Sequence, residues 1–266
     1  MVRPVADLAA TAYAAGLRHL PHEHQELQIS IVLRGRVAET VHGHTEYAGS
    51  LAIVVKDPGV VHADVFGRGG ADMLRLSFAD ATFGALLDDE RRSCSWRWLH
   101  DPAATAPFLR LAQRSRDGCA SLPQEDTDVL ELLAALSTRA VVSKGSPPQW
   151  LVRVVDELQD HPVGTPDIGA LARRAGVHPV YLARCVRRWY GTGLGEMLRL
   201  LRVRAAAHEL SDGSNTVATV AHRVGFADEA HLCRVFKRAT GVTPGRYKRL
   251  VGGMGFEQAG PSATGC

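Results

Sequence analysis

From Leu20 to Phe78 apolar and polar positions alternate in short runs: "LQISIVL", "RVAETV", "TEY", "LAIVV", "HADVF" and "DMLRLSF". A period of two is the signature of a strand with one face buried. Gly- and Pro-rich punctuation separates the runs, at Gly35, "HGH" (42–44), "AGS" (48–50), "DPG" (57–59) and "GRGG" (67–70). Many short strands between such turns predict a small antiparallel sandwich or barrel. From about Ala103 the period lengthens. Phe108, Leu109 and Leu111 share one helical stretch, and Val129, Leu132, Leu133, Leu136 and Ala140 recur at helical spacing in a second. "SKGSPPQ", 143–149, is a linker whose paired prolines stop a helix. Beyond it the pattern stays helical to about Leu250, and the Gly-rich tail, 251–266, has too little apolar content to order itself. The chain therefore reads as α+β with two domains: a β unit over 1–100, helices over 101–142, the linker, an all-α unit over 150–250, and a disordered tail.

With 266 residues and 45% hydrophobic content, both domains can bury a core. No apolar run is long enough to span a bilayer, and the first residues, "MVRPVADLAATAYAAGL", lack the apolar stretch and cleavage site of a signal peptide. Five scattered cysteines (Cys94, Cys119, Cys185, Cys233, Cys266) with no CxxC argue against a disulfide framework and a cysteine zinc site. These features predict a cytoplasmic protein without a membrane partner. The net charge of +3 is unevenly spread. Residues 150–250 hold 16 Lys and Arg against 9 Asp and Glu, a balance of +7, while the rest of the chain holds 15 and 19, a balance of −4. The helical half is the half to examine for phosphate binding.

That half contains a repeat. "LARRAGVHPVYLARCVRRWYGTGLGE" matches "VAHRVGFADEAHLCRVFKRATGVTPGR". In each, an Ala precedes a Gly by four residues (Ala172/Gly176, Ala221/Gly225), and a second helix carries Leu, Arg, an apolar residue, Arg and Gly in register: Leu182, Arg184, Val186, Arg188, Gly191 and Leu232, Arg234, Phe236, Arg238, Gly241. The spacing is that of a helix-turn-helix: the small Ala lets two helices approach, and the Gly takes the positive φ of the tight turn. Leu182, Val186 and Trp189 form the inward stripe of the first copy, and Leu232, Val235 and Phe236 that of the second. One copy is a weak signal, since any helical hairpin shows such a stripe. Two copies about fifty residues apart, joined by a continuous helix over 194–211, are a strong one. A separation near one DNA turn, about 34 Å, would let both second helices enter successive major grooves.

The residues from about 150 to 250 resemble the DNA-binding domain of the AraC/XylS transcription regulators. "LARRAGVHPVYLARCV", "RVRAAAHELS" and "VAHRVGFADEAHLCRVFKRATGVTPGRY" carry the resemblance, most specifically Gly225-Phe226, Arg234 to Lys237 and Gly241 to Pro244. Val186 stands where the family usually has Phe, and His178 and Asp228 where it usually has Ser. Both changes are mild, because Val still packs and Asp is a good helix cap. The resemblance implies base contacts from Val180, Ala183 and Arg184 and from Glu229, Ala230, Cys233 and Arg234. The chemistry suits them: Arg184 and Arg234 to guanine, Val180 and Ala183 to thymine methyls, Glu229 to cytosine. Arg187, Arg188, Lys237 and Arg238 are the expected phosphate contacts. For any single Arg the competing reading is a solvated helix face.

Many members of this family carry an N-terminal β-barrel that binds an effector, followed by dimerising helices, and residues 20 to 140 fit that order. The strand region also resembles the cupin motifs, through His22-x-His24, Gln28 and Gly35, and then Gly49 and "DPGVVH" ending at His62. The resemblance implies a cupin-like antiparallel barrel with ligands His22, His24, Gln28 and His62, Gln28 standing where Glu is usual. A period of two would put 22, 24 and 28 on one face of one strand, where with His62 they could hold zinc, iron or manganese. Two other readings stay open: an effector site without metal, and surface histidines, since Leu27, Ile29, Ile31 and Leu33 give the opposite face an apolar character. His42 and His44 read as exposed turn residues. The stripe of Leu130, Leu133, Ser137 and Ala140 reads equally as packing on the barrel or as a dimer contact.

The leading reading is a transcription regulator, not an enzyme, whose barrel senses a small molecule or metal. Its partners would be double-stranded DNA, the effector, a second copy of the chain, and RNA polymerase if it activates. The alternative is a metal-dependent cupin enzyme fused to a DNA-binding module, for which the sequence shows no acid–base pair or nucleophile. A third reading makes Cys233 a redox sensor on the DNA face.

Overall fold

The computed structural model describes residues 6–78, 98–117, 122–138, 147–160 and 167–259. Six strands open the chain: β1 (Ala6–Tyr13), β2 (Arg18–His22), β3 (Leu27–Val41), β4 (His44–Ala48), β5 (Ile53–Lys56) and β6 (His62–Phe78). Nine helices follow among the described residues: α1 (Pro102–Asp117), α2 (Leu122–Thr138), α3 (Gln149–Asp160), α4 (Ile168–Arg174), α5 (Pro179–Tyr190), α6 (Leu194–Ser211), α7 (Val217–Arg223), α8 (Glu229–Thr240) and α9 (Pro244–Gly252). A two-residue strand, β7 (Glu257–Gln258), ends the series.

The strands form one sheet in the order β4-β3-β6-β1-β7, with β5 also paired to β3 and β2 to β6. Among the described residues nothing pairs β4 or β5 with β1, β2 or β7, so the sheet is open. This corrects the expected cupin-like barrel, in fold class and in sensor type. Turn spacing reports how many strands there are and how long they run, but not whether the outermost two pair. The edges at β5 and β1 are instead covered by chain from elsewhere, one of the ways a sheet edge is protected. Leu99 exchanges both backbone hydrogen bonds with Ile53 on β5 (2.8 and 2.6 Å). On the other side β7 runs parallel to β1, and the Ala259 N–H donates to the Ala12 carbonyl at 2.9 Å.

Two glycines that read as turns in the sequence lie inside long strands. Gly35 (φ 81°) lies within β3 and Gly70 (φ 70°) within β6, where the register shifts. A Cβ on Gly35 would sit 2.0 Å from the Gly70 carbonyl oxygen, and one on Gly70 would sit 2.3 Å from that of Tyr13. They are bulge glycines at a backbone crossing. The bend lets β3 and β6 change partners along their length: β5 and β1 flank one half of the pair, β4 and β2 the other. The turn reading does hold at 42–43, where His42 (φ 48°) and Gly43 (φ 79°) form the hairpin between β3 and β4, as two positive φ values require. His42 and His44 are exposed there.

Both parities of β3 are buried from Leu27 to Leu33. Leu27, Ile29, Ile31 and Leu33 face a core shared with Leu74, Leu76 and Phe78 of β6, Phe108 and Leu109 of α1, and Leu132 of α2. The same core continues without a break into Ala207 and Leu210 of α6, Phe226, Phe236 of α8 and Tyr247 of α9. The second helix-turn-helix is thus packed on the sheet. The first has its own core, built from Leu151, Val155, Leu171, Leu182, Val186 and Leu201. The other parity of β3 turns to the sheet's inner face, where Val32 meets Val37, Val54, Phe66, Met73 and Trp98.

Candidate functional site

Each helix-turn-helix is built by local rules. Ala172 and Ala221 are buried where the paired helices cross, and Gly176 (φ 68°) and Gly225 (φ 81°) make the turns. Asp228 caps α8, its Oδ1 accepting from the His231 N–H at 2.6 Å, and the His178 Nδ1 accepts from the Val180 N–H at 3.3 Å to cap α5. Gly191 and Gly241 end the two helices in the left-handed region, the usual helix stop. The continuous helix expected over 194–211 is α6.

Of the eleven residues expected to face DNA, Val180, Arg184, Arg187, Arg188, Glu229, Ala230, Arg234, Lys237 and Arg238 are exposed, and Ala183 and Cys233 are half-buried. Among the described residues Arg184, Arg187, Arg188, Arg234 and Lys237 form no ion pair, while Arg238 lies 3.7 Å from Glu196. Unneutralised guanidiniums on two successive exposed helix faces suit a polyanion. Sequence reasoning missed Tyr181, whose ring is 53% exposed beside Val180 at 54%. Large exposed apolar groups at the start of α5 are the available signal. Burial and the Glu229 carboxylate both raise the Cys233 thiol pKa, which keeps it protonated and works against the redox reading. Cys94, Cys119 and Cys266 lie outside the described residues, as do Ala140 and positions 143–146 of the linker.

The second candidate site is on the sheet's inner face. His22, His24 and His62 come together, with one ring nitrogen of each within 4.8 Å of the others. Ring centroids are 4.3 Å apart for His22 and His62 and 5.0 Å for His24 and His62. They do not share one strand with Gln28: β2 ends at His22, His24 lies in the connection, and Gln28 is buried on β3 opposite Lys56 and Ser77. The Nδ1 of His22 lies 2.8 Å from the Leu20 carbonyl and that of His62 3.0 Å from the Val60 carbonyl. A carbonyl only accepts, so each Nδ1 carries a proton, and in a neutral ring the lone pair is then on Nε2. The His62 Nε2 is buried with no hydrogen-bond partner. Burial and the neighbouring His62 and Lys56 depress His24 to about 3, and burial with Lys56 depresses His62 to about 4. Both rings are neutral at pH 7.

Three converging imidazoles, two of them held through Nδ1 by a backbone carbonyl, are the donor set of a transition-metal site. These residues could hold zinc, iron or manganese. Carboxylates supply what Gln28 lacks: Asp64 Oδ2 lies 3.8 Å from both the His62 Nε2 and the His19 Nδ1, and Glu39, His62 and Asp64 form a further potential ligand set. Glu39 is fully buried, its Oε1 2.6 Å from the Lys56 Nζ. It has the same parity as the buried Val37 and Val41, so a carboxylate in an otherwise apolar register is the signal that marks it. Of the stripe assigned to packing or dimerisation, Leu133 is buried in the shared core and Leu130 is 60% exposed.

Comparison with known proteins places the chain. A family model described as "Helix-turn-helix domain" matches residues 171–250. The HTH-type transcriptional regulator GlxA of Rhizobium meliloti is 31% identical over 128 residues, 46% of this chain and 40% of GlxA. The regulatory protein SoxS of Salmonella typhimurium is 31% identical over 100 residues, 38% of this chain and 91% of SoxS. Among solved structures, the DNA-binding domain of AdpA in complex with a target DNA is 29% identical, with a TM-score of 0.35, over 39% of this chain and 91% of that one. The chain spans 40% of GlxA and 36% of each of two Streptomyces AraC-like regulators. These relatives are transcriptional regulators rather than enzymes. No helix among the described residues is long and apolar enough to cross a membrane. The match to nearly all of SoxS and the duplicated helix-turn-helix agree: the chain belongs to the AraC/XylS family of transcription regulators.

Proposed function

We propose that the protein is a sequence-specific DNA-binding transcription regulator controlled by a small molecule or metal ion at the His22/His24/His62 site. Residues 1–100 sense, and residues 150–250 bind double-stranded DNA through α5 and α8. Val180, Ala183, Arg184, Glu229, Ala230, Cys233 and Arg234 read bases, while Arg187, Arg188, Lys237 and Arg238 hold phosphates. A second copy of the chain, and RNA polymerase where the output is activation, are the further partners. Residues 101–142 supply the dimer contact.

The observation that carries this reading is the double use of β3. Its inner parity belongs to the face that bears the histidines, and its outer parity is packed in one core with α6, α8 and α9. A ligand that prefers one arrangement of the inner face shifts the balance of arrangements on the outer one.

The test starts from duplexes selected by the protein out of a random pool. Affinity for a selected duplex is then measured with and without Zn²⁺, Fe²⁺ and Mn²⁺ and with butyrate, hexanoate and 3-phenylpropanoate. At least one ligand should change that affinity, and His62→Ala should lose the response while keeping its ligand-free affinity. Unchanged affinity with every probe overturns the sensing role and leaves DNA binding standing.

A further inference from the structure

The inner face carries a cation that the histidine site does not use. Arg75 of β6 has the parity of Met73 and lies between Ala9 of β1 and Ser30 of β3. Its Nε is buried and has no hydrogen-bond partner. Among the described residues no carboxylate pairs with it. The inner-face carboxylates are engaged elsewhere: Glu39 with Lys56 at 2.6 Å, and Asp64 within 4.0 Å of Lys56 and 3.8 Å of His19 and His62. Asp7, opposite Ser77 on the same face, is exposed and forms no ion pair with Arg75. The groups around Arg75 are neutral hydrogen-bonding ones: Ser30 directly opposite, and Gln28 and Ser77 in the next register pair. Arg75 is also near enough to Tyr13 and His24 to act on both electrostatically. It therefore belongs to the same face as the histidines.

Arg75 as a whole is half-buried, but solvent does not reach its Nε, and a buried donor without a partner is unfavourable. Natural structures satisfy such a donor with a partner, and none is found for it among the described residues. The planar fork of arginine matches a carboxylate with two parallel hydrogen bonds. We propose that Arg75 is the anchor of the sensing site and that the effector is a small organic monocarboxylic acid. Its carboxylate sits on Arg75 beside Ser30, Ser77 and Gln28, and its body extends toward the three imidazoles. The charge balance favours a carboxylate over a phosphate ester: one unneutralised cation matches a single negative charge, and Lys56 is already taken by Glu39. The inference rests on the sensing role of this face.

Thermal melting of the full chain, with and without added ligand, tests it. The probes are butyrate, hexanoate and 3-phenylpropanoate, each beside its primary amide, with inorganic phosphate as a separate arm. At least one acid should raise Tm in a saturable way, its amide should not, and Arg75→Gln should abolish the shift. Arg75→Met should melt no lower than wild type without ligand, because it removes a buried donor that has no partner among the described residues. Any of three results overturns the assignment: no acid shifts Tm, an amide equals its acid, or the acid shift survives in Arg75→Gln. A larger shift with phosphate than with every acid overturns the carboxylate. A metal response on DNA that persists in Arg75→Gln keeps the sensing role intact while the acid anchor fails, so the two failures are distinguishable.

Discussion

The Tyr247 hydroxyl donates a 2.7 Å hydrogen bond to the Leu33 carbonyl, 214 residues earlier in the chain. Leu33 lies at a register shift of β3, between Val32 and Arg34, without a paired residue on β6. Its carbonyl is met by a side chain from α9 instead of a neighbouring strand. Tyr247 is fully buried, and its ring meets Phe236 of α8 edge-on at 5.5 Å. A defect in the sheet is thereby closed by the helical half of the chain. Tyr247→Phe keeps the ring and leaves a buried acceptor without a donor, which costs about 1–3 kcal/mol. Urea unfolding should show a lower midpoint with an unchanged circular dichroism spectrum. An unchanged midpoint would mean that water replaces the bond.

The backbone crossing at Gly35 should be the least tolerant position in the sheet. Gly35→Ala combines a φ of 81° with a Cβ placed 2.0 Å from the Gly70 carbonyl oxygen. Gly43→Ala has a similar φ of 79° and nothing within 4 Å. The pair separates steric conflict from backbone strain, which alone costs of order 1–3 kcal/mol. Gly43→Ala should fold with a modestly lower Tm. Gly35→Ala should melt far lower or accumulate as insoluble protein. Equal Tm values would show that β3 and β6 can slide apart at the crossing.

His100 makes stability depend on pH. Burial and the nearby Arg204 guanidinium hold its pKa well below the ordinary histidine value of 6.5. The unfolded chain therefore takes up a proton more readily than the folded one. The stability this neutral ring contributes is complete above about pH 6.5 and is lost as pH falls from there toward the depressed folded value. His24 and His62, at about 3 and about 4, act in the same direction. In urea melts between about pH 7 and pH 5, wild type should lose stability steeply. His100→Gln should lose it less steeply, with the remaining slope coming from the other two rings. Parallel curves would show that His100 is protonated in the folded protein.

The helical half was legible because its rules are local. The repeated Ala and Gly at Ala172/Gly176 and Ala221/Gly225, the Asp228 cap and the stripe of Leu232 and Phe236 act within one helical hairpin, and the sequence displays each directly. The β half depends on partners far away in the chain. The open edge of β5 is covered by Leu99, and that of β1 by residues 257–259, pairings that no local pattern encodes. β1 itself, "ADLAATAY", escapes the alternation test because its alanines are too small to mark a face. The histidines were found by their spacing, but Asp64, His19 and Arg75 were not, since their convergence follows from the bend at Gly35 and Gly70. Gln28 follows His24 at a strand-like spacing, yet a connection interrupts the strand between them.

The last prediction separates base reading from phosphate binding on α8. Arg234 and Lys237 are both exposed and neither forms an ion pair among the described residues. The proposed reading nevertheless gives them different work. Arg234 lies one residue past Cys233 and one turn on from Ala230, on the face assigned to base edges, whereas Lys237 is in the last turn of the helix. Arg234→Ala should weaken binding to a selected duplex by about 1–3 kcal/mol and leave binding to an unrelated duplex unchanged. Lys237→Ala should weaken both by similar factors and reduce the dependence of log Kd on log salt by about one unit. Electrophoretic shifts on the two duplexes at several salt concentrations measure both effects. If Arg234→Ala weakens binding to both duplexes equally, Arg234 is a phosphate contact, and the sequence preference of the second helix-turn-helix must come from Glu229, Ala230 and Cys233.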